Sequence, residues 1–112
     1  NSLGKKVLYG WEKIANKYGI KLTTSKIPHL CTFFLHYKNN ESLYTYFTNE
    51  MLRKNILASN RIYLSFSHKD VHIKKYLNEC DKIFKEMKRK IDKGYNFKSF
   101  KSRYEGFKRL TK

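Results

Sequence analysis

Apolar residues recur every three or four positions over the first eighteen residues. Val7, Leu8, Trp11, Ile14, Ala15 and Tyr18 fall on one stripe, which predicts an amphipathic helix over about 4–18. Gly19 follows, where a left-handed helix cap belongs. The period then shortens to two: residues 20–25, Ile-Lys-Leu-Thr-Thr-Ser, alternate and are rich in β-branched side chains, as in a strand. Pro28, the only proline, punctuates. Leu30 to Tyr37 is apolar on both faces, as expected of a strand central in its sheet. Asn39-Asn40-Glu41-Ser42 offers N-caps for a helix over 43–54 that turns Leu43, Phe47, Met51 and Leu52 inward and ends at Asn55. Ile56-Leu57-Ala58 reads as a short strand, Ser59-Asn60 as a turn, and Ile62, Leu64 and Phe66 as an alternating strand. Ser67 is placed to cap the longest helix, with Asp70 in its first turn. Ile73, Tyr76, Leu77, Cys80, Ile83, Phe84, Met87 and Ile91 keep helical spacing through to Gly94. Beyond it, Phe97, Phe100, Tyr104 and Phe107 step by three or four and predict a short last helix. The expected fold class is α+β, a small sheet of about four strands covered by amphipathic helices. Its order is helix, two strands, helix, two strands, long helix. Residues 1–94 would form the domain and 95–112 a basic C-terminal extension.

The length of 112 residues suits one domain with one core. An apolar content of 40%, with 16% aromatic, is too high for a disordered segment. No apolar run is long enough for a membrane span. The N-terminus has neither a signal-peptide core nor an initiator Met, and reads as a cut boundary or a cleavage product rather than the start of the gene. Cys31 and Cys80 fall on apolar faces, as inert thiols of a reducing, cytoplasmic compartment do. The net charge of +16 raises a nucleic-acid or anionic surface as one function. However, the basic residues are 20 Lys and 5 Arg, whereas base and phosphate recognition leans on the bidentate Arg fork. Lys, Asn, Ile, Tyr and Phe are abundant together and share AT-rich codons, so genome composition is enough to account for the charge.

Catalytic constellations are sparse. His68 and His72 lie four apart, but Asp70 points to another face and no third metal ligand is near. His29 and His36 sit singly in strand positions. There is no Cys-x-x-Cys pair, glycine-rich phosphate loop or G-x-S-x-G elbow. Phe33, Phe34, Tyr37, Tyr63 and Phe66 suggest a stacking platform for RNA, without the motif that such a platform carries.

Three strings carry a resemblance. The opening helix ends in Lys17-Tyr18-Gly19-Ile20. Phe47-Thr48-Asn49-Glu50-Met51-Leu52-Arg53-Lys54-Asn55-Ile56 follows a helix-to-strand pattern "F…LL…GV", with Asn55 at the glycine. Leu64-Ser65-Phe66-Ser67-His68, with Ile73 five residues on, follows "SLAH" and "ID". From about Gly4 to Lys88 the chain resembles the C-terminal small domain of class III pyridoxal-phosphate-dependent aminotransferases, closest to the glutamate-1-semialdehyde aminomutase branch. The resemblance implies a cytoplasmic, homodimeric parent enzyme. Its Schiff-base lysine, pyridine-binding aspartate and phosphate cup belong to a large catalytic domain outside this chain. The small domain covers the active-site mouth and helps orient an amino-group substrate. Arg61 falls where other branches place an arginine that meets a substrate carboxylate, although the prolines that follow it there are absent. No catalytic or cofactor-binding residue is expected within the chain, and the chain alone is expected to be inactive. A further expectation is that Trp11, on the helix linking the two domains, lies in an uncovered apolar patch. The alternative reading is a free-standing basic nucleic-acid-binding module.

Overall fold

A computed structural model describes residues 2–25, 27, 30–63, 69–95 and 97. The elements run α1 (Ser2–Tyr18), β1 (Leu22–Thr24), β2 (Leu30–Leu35), α2 (Asn40–Arg53), β3 (Arg61–Tyr63) and α3 (Asp70–Asp92). The fold is α+β, three helices on a three-stranded antiparallel sheet in the order β1-β2-β3. Leu22 pairs with Leu35 and Thr23 with Phe34 on one side, and Cys31 pairs with Ile62 and Thr32 with Arg61 on the other. The doubly apolar strand is thus central, as its pattern predicts.

All three helices stop in the same way. Gly19 (φ 73°), Asn55 (φ 61°) and Gly94 (φ 67°) turn left-handed. The next N–H reaches back five residues, from Ile20 to the Ala15 carbonyl at 2.8 Å, Ile56 to Met51 at 3.0 Å and Tyr95 to Lys90 at 2.9 Å. These are Schellman caps, and they satisfy carbonyls that the helix end leaves open. Their use of backbone donors also corrects the strand expectations. The Ile20 N–H is committed to its cap, so β1 begins at Leu22 rather than at residue 20. Ile56 is committed likewise, and Ile56-Leu57-Ala58 is not a strand. Three strands are therefore present among the described residues where about four were expected. Strand β2 stops at Leu35, short of Tyr37. Of the strand expected over Ile62, Leu64 and Phe66, β3 holds Arg61–Tyr63, while residues 64–68 lie outside the described residues.

The N-cap of α3 is Lys69, not Ser67. The Lys69 N–H donates to Nδ1 of His72 at 3.3 Å, so the histidine does what the glutamate of a capping box does. Helix α2 starts at Asn40, a turn earlier than its apolar pattern indicates, and buries Tyr46 besides Leu43, Phe47 and Met51. 

Phe33 is the centre of the core. Its ring lies 4.9 Å from Trp11 of α1, 5.1 Å from Phe47 of α2 and 5.5 Å from Phe84 of α3, each in an edge-on arrangement. Such pairs add about 0.5–1.5 kcal/mol each beyond their buried area. One inward face of β2, Cys31, Phe33 and Leu35, therefore holds all three helices. Trp11 is fully buried, with its Nε1 donating to the Tyr76 hydroxyl at 3.1 Å. This corrects the expectation that Trp11 lies in an uncovered patch: it faces β2 and α3 of its own domain. Among the described residues the exposed large apolar side chains are on separate segments, Tyr9 on α1, Ile27 between β1 and β2, Phe34 on β2, Leu57 before β3, Val71 on α3 and Tyr95 after it. Phe97 is buried, with its ring 5.5 Å from that of Tyr46. The segment after Gly94 thus begins packed on the domain, and the short helix expected further on lies outside the described residues.

Candidate functional site

Helices α1 and α3 run in the same direction, as their contacts show: Lys6 meets Asp70, Trp11 meets Tyr76, and Lys17 with Tyr18 meets Asp81. They approach closely at Gly10, where an added Cβ would lie 2.7 Å from both terminal carbons of Leu77. On the solvent side they leave a groove of about 430 Å3, floored by Ile14 and Leu77 and rimmed by Lys13, Lys17, Lys74 and Asn78. Asp81 is the one carboxylate in its lining. Its partial burial pushes its pKa up, but hydrogen bonds from Tyr18 and Lys17 outweigh this and hold it below the ordinary range. Lys17 is held above its ordinary value by the same carboxylate. At the other end, Lys6 sits 2.6 Å from Asp70 and lowers its pKa.

Arg61 lies elsewhere. It opens β3 opposite Thr32 and is exposed, on the sheet face away from the helices because side chains alternate along a strand. Its N–H donates to Ser59 Oγ at 3.2 Å. Phe34 and Thr23, cross-strand partners, share that face, and Thr23 Oγ1 is 2.8 Å from His36 Nε2. The structure therefore puts Arg61 with Phe34 and His36 on one sheet face, and far from the groove between the helices. Of the aromatics considered for RNA stacking, Phe33 is core. Tyr37 is half-buried, with its hydroxyl accepting from the Lys21 N–H at 3.0 Å. The Tyr63 side chain and Phe66 lie outside the described residues, as do His29 and His68.

His72 is engaged in capping, and no group of three metal-ligating side chains occurs among the described residues. Burial pushes the Cys80 thiol up to about 12 and raises Cys31 too; neither has the electropositive, accessible setting that makes a thiolate nucleophile. Among the described residues the exposed lysines are Lys5, Lys6, Lys13 and Lys17 on α1, Lys74, Lys75, Lys82 and Lys85 on α3, and Lys21, Lys38, Lys54, Lys69 and Lys93 outside the helices, while Lys98, Lys101 and Lys108 lie outside the described residues. Among the described residues no helix is long and apolar enough to cross a membrane.

Lys17, Lys88 and Asp81 do not fit the roles that pyridoxal phosphate asks of a protein. A Schiff-base lysine needs a lowered pKa and an enclosed setting, whereas Lys17 and Lys88 are held charged by Asp81 and Asp92. Asp81, the groove's carboxylate, is already bound by Lys17 and Tyr18 and is not free to meet a pyridine nitrogen. The groove could not have been found from the sequence, because it depends on the parallel alignment of two helices distant in the chain. Gly10, inside an otherwise regular apolar stripe, is the one local sign of it. Comparison with protein-family models, with curated proteins and with solved structures finds no match.

Proposed function

We propose that this chain is the C-terminal small domain of a class III aminotransferase, or of a glutamate-1-semialdehyde aminomutase-like enzyme, whose catalytic half lies upstream. The observation that carries the reading is Asn55. It occupies the position at which the family pattern has glycine, and its φ of 61° is the backbone conformation such a glycine serves. Asparagine is the residue that best substitutes there. The element order supports the reading only in part: the helix-to-strand pattern is met at its helix end, but Ile56 opens no strand and one strand, not two, precedes α3 among the described residues. Trp11 counts against the reading: a domain severed from its partner is expected to leave that side uncovered, whereas its own domain buries it.

In this reading pyridoxal phosphate, held by the upstream domain, supplies the electron sink for amino-group transfer. The small domain contributes position. Arg61, exposed on the sheet face away from α1, α2 and α3, would meet a substrate carboxylate with its two-pronged guanidinium. The parent would be a cytoplasmic homodimer. The excess of lysine over arginine weighs against the rival reading as a nucleic-acid module. The test is the coding sequence upstream of Asn1. The expected result is an open frame of roughly 300 further residues, the length of two more domain units, with a lysine following a strand and turn. An initiator codon just before Asn1 would end the proposal.

A further inference from the structure

We propose that the groove between α1 and α3 binds a phosphoryl group between Lys13 and Lys74. The inference is independent of the aminotransferase reading. Lys13 and Lys74 stand on opposite rims, and among the described residues neither has a carboxylate within ion-pair distance. The two acids that could have balanced them are already matched: Asp70 by Lys6 and Asp81 by Lys17 and Tyr18. Those pairs tie the helices together at either end and fix the spacing of the rims. An anion lodged between them would meet two positive charges that have no ion-pair partner among the described residues.

A tetrahedral dianion suits the groove better than a carboxylate does. It offers three acceptor oxygens, and the rims offer the two ammonium groups and the side-chain amide of Asn78. Lysine binds phosphate as a point charge, without the planar match that a carboxylate asks of arginine. The floor of Ile14 and Leu77 gives room for an apolar body attached to the phosphoryl group. A nucleic-acid strand is the competing occupant, and the titration separates the two.

The test is a titration of the full chain with inorganic phosphate and with phenyl phosphate, followed by amide NMR shifts at constant ionic strength in chloride. The expected result is saturable shifts confined to Gly10, Lys13, Lys74, Asn78 and their neighbours. The double variant Lys13→Ala/Lys74→Ala should weaken binding about tenfold or more, the scale of one lost charge-assisted bond. Lys5→Ala/Lys75→Ala, with the same net charge, should leave it unchanged. Tighter binding of phenyl phosphate would mark the ligand as a phosphomonoester with its body on Ile14 and Leu77, and equal binding would mark it as the free ion. Linear, unsaturable shifts would overturn the proposal. So would equal losses in both double variants, or an oligonucleotide that binds more tightly than either probe with shifts over the whole surface.

Discussion

At Asn55 the backbone turns left-handed so that the Ile56 N–H can close the cap of α2. An alanine there would keep the turn at a cost of about 1–2 kcal/mol, whereas glycine removes the Cβ conflict. Asn55→Ala should therefore lower stability by about 1 kcal/mol and Asn55→Gly should leave it equal or slightly higher, as read from urea midpoints. A loss with both variants would mean that the asparagine side chain, not its φ, matters. Trp11 sits at the opposite extreme of burial. Tyr76→Phe removes the hydroxyl that accepts from its indole N–H and leaves Cys80 as its polar neighbour, so the stability read from urea midpoints should fall by about 1 kcal/mol, the scale of one hydrogen bond. The thiols report on the same core. Cys80, at about 12, and the raised Cys31 should resist alkylation at pH 8 until the chain unfolds. Fast labelling of the native protein would show that the core around Trp11 opens locally.

The register of α1 on α3 depends on Gly10, whose missing side chain lets Leu77 seat against the helix backbone. Gly10→Ala gains helix propensity of about 1 kcal/mol and crowds two Leu77 methyl carbons at 2.7 Å, where overpacking costs about 1–3 kcal/mol. The net effect should be mildly destabilising, and Leu77→Ala should relieve it in a double-mutant cycle. Additive effects would show that the helices do not touch there in solution. The helices were legible because each buries a stripe at regular spacing and ends in Gly or Asn. Strand boundaries were less so. Residues 20 and 56 have the side chains of a strand, but their N–H groups belong to helix caps, and backbone commitments leave no trace in an apolar pattern. Ser67 looked like the cap of α3 by type, yet the N-cap is Lys69, whose N–H bonds to His72 three residues on. Arg61 was legible as a strand residue, while its position across from Thr32, on the face with Phe34, required the pairing.

Across the whole molecule, six of the described acids sit in ion pairs with Lys or Arg: Glu50, Asp70, Glu79, Asp81, Glu86 and Asp92. Lys6 lowers Asp70 and Arg89 lowers Glu86, while Tyr18 and Lys17 lower Asp81 against its burial. A carboxylate whose folded pKa is depressed stabilises the fold above its unfolded pKa, about 4, and loses this as pH falls through the folded value. The urea midpoint should therefore hold level from neutral pH down to about 5 and fall below about 4. Asp81→Asn should flatten part of that decline, and a midpoint unchanged down to pH 2 would show that these pairs contribute nothing. The central claim, that this domain belongs to a larger pyridoxal-phosphate enzyme, is tested most directly by borohydride trapping. The product of the complete reading frame is incubated with pyridoxal phosphate, reduced and mapped by peptide mass. The account predicts one pyridoxyl-lysine, stoichiometric, on a peptide upstream of Asn1. A stoichiometric adduct on a lysine within residues 1–112, or none at all, would contradict it.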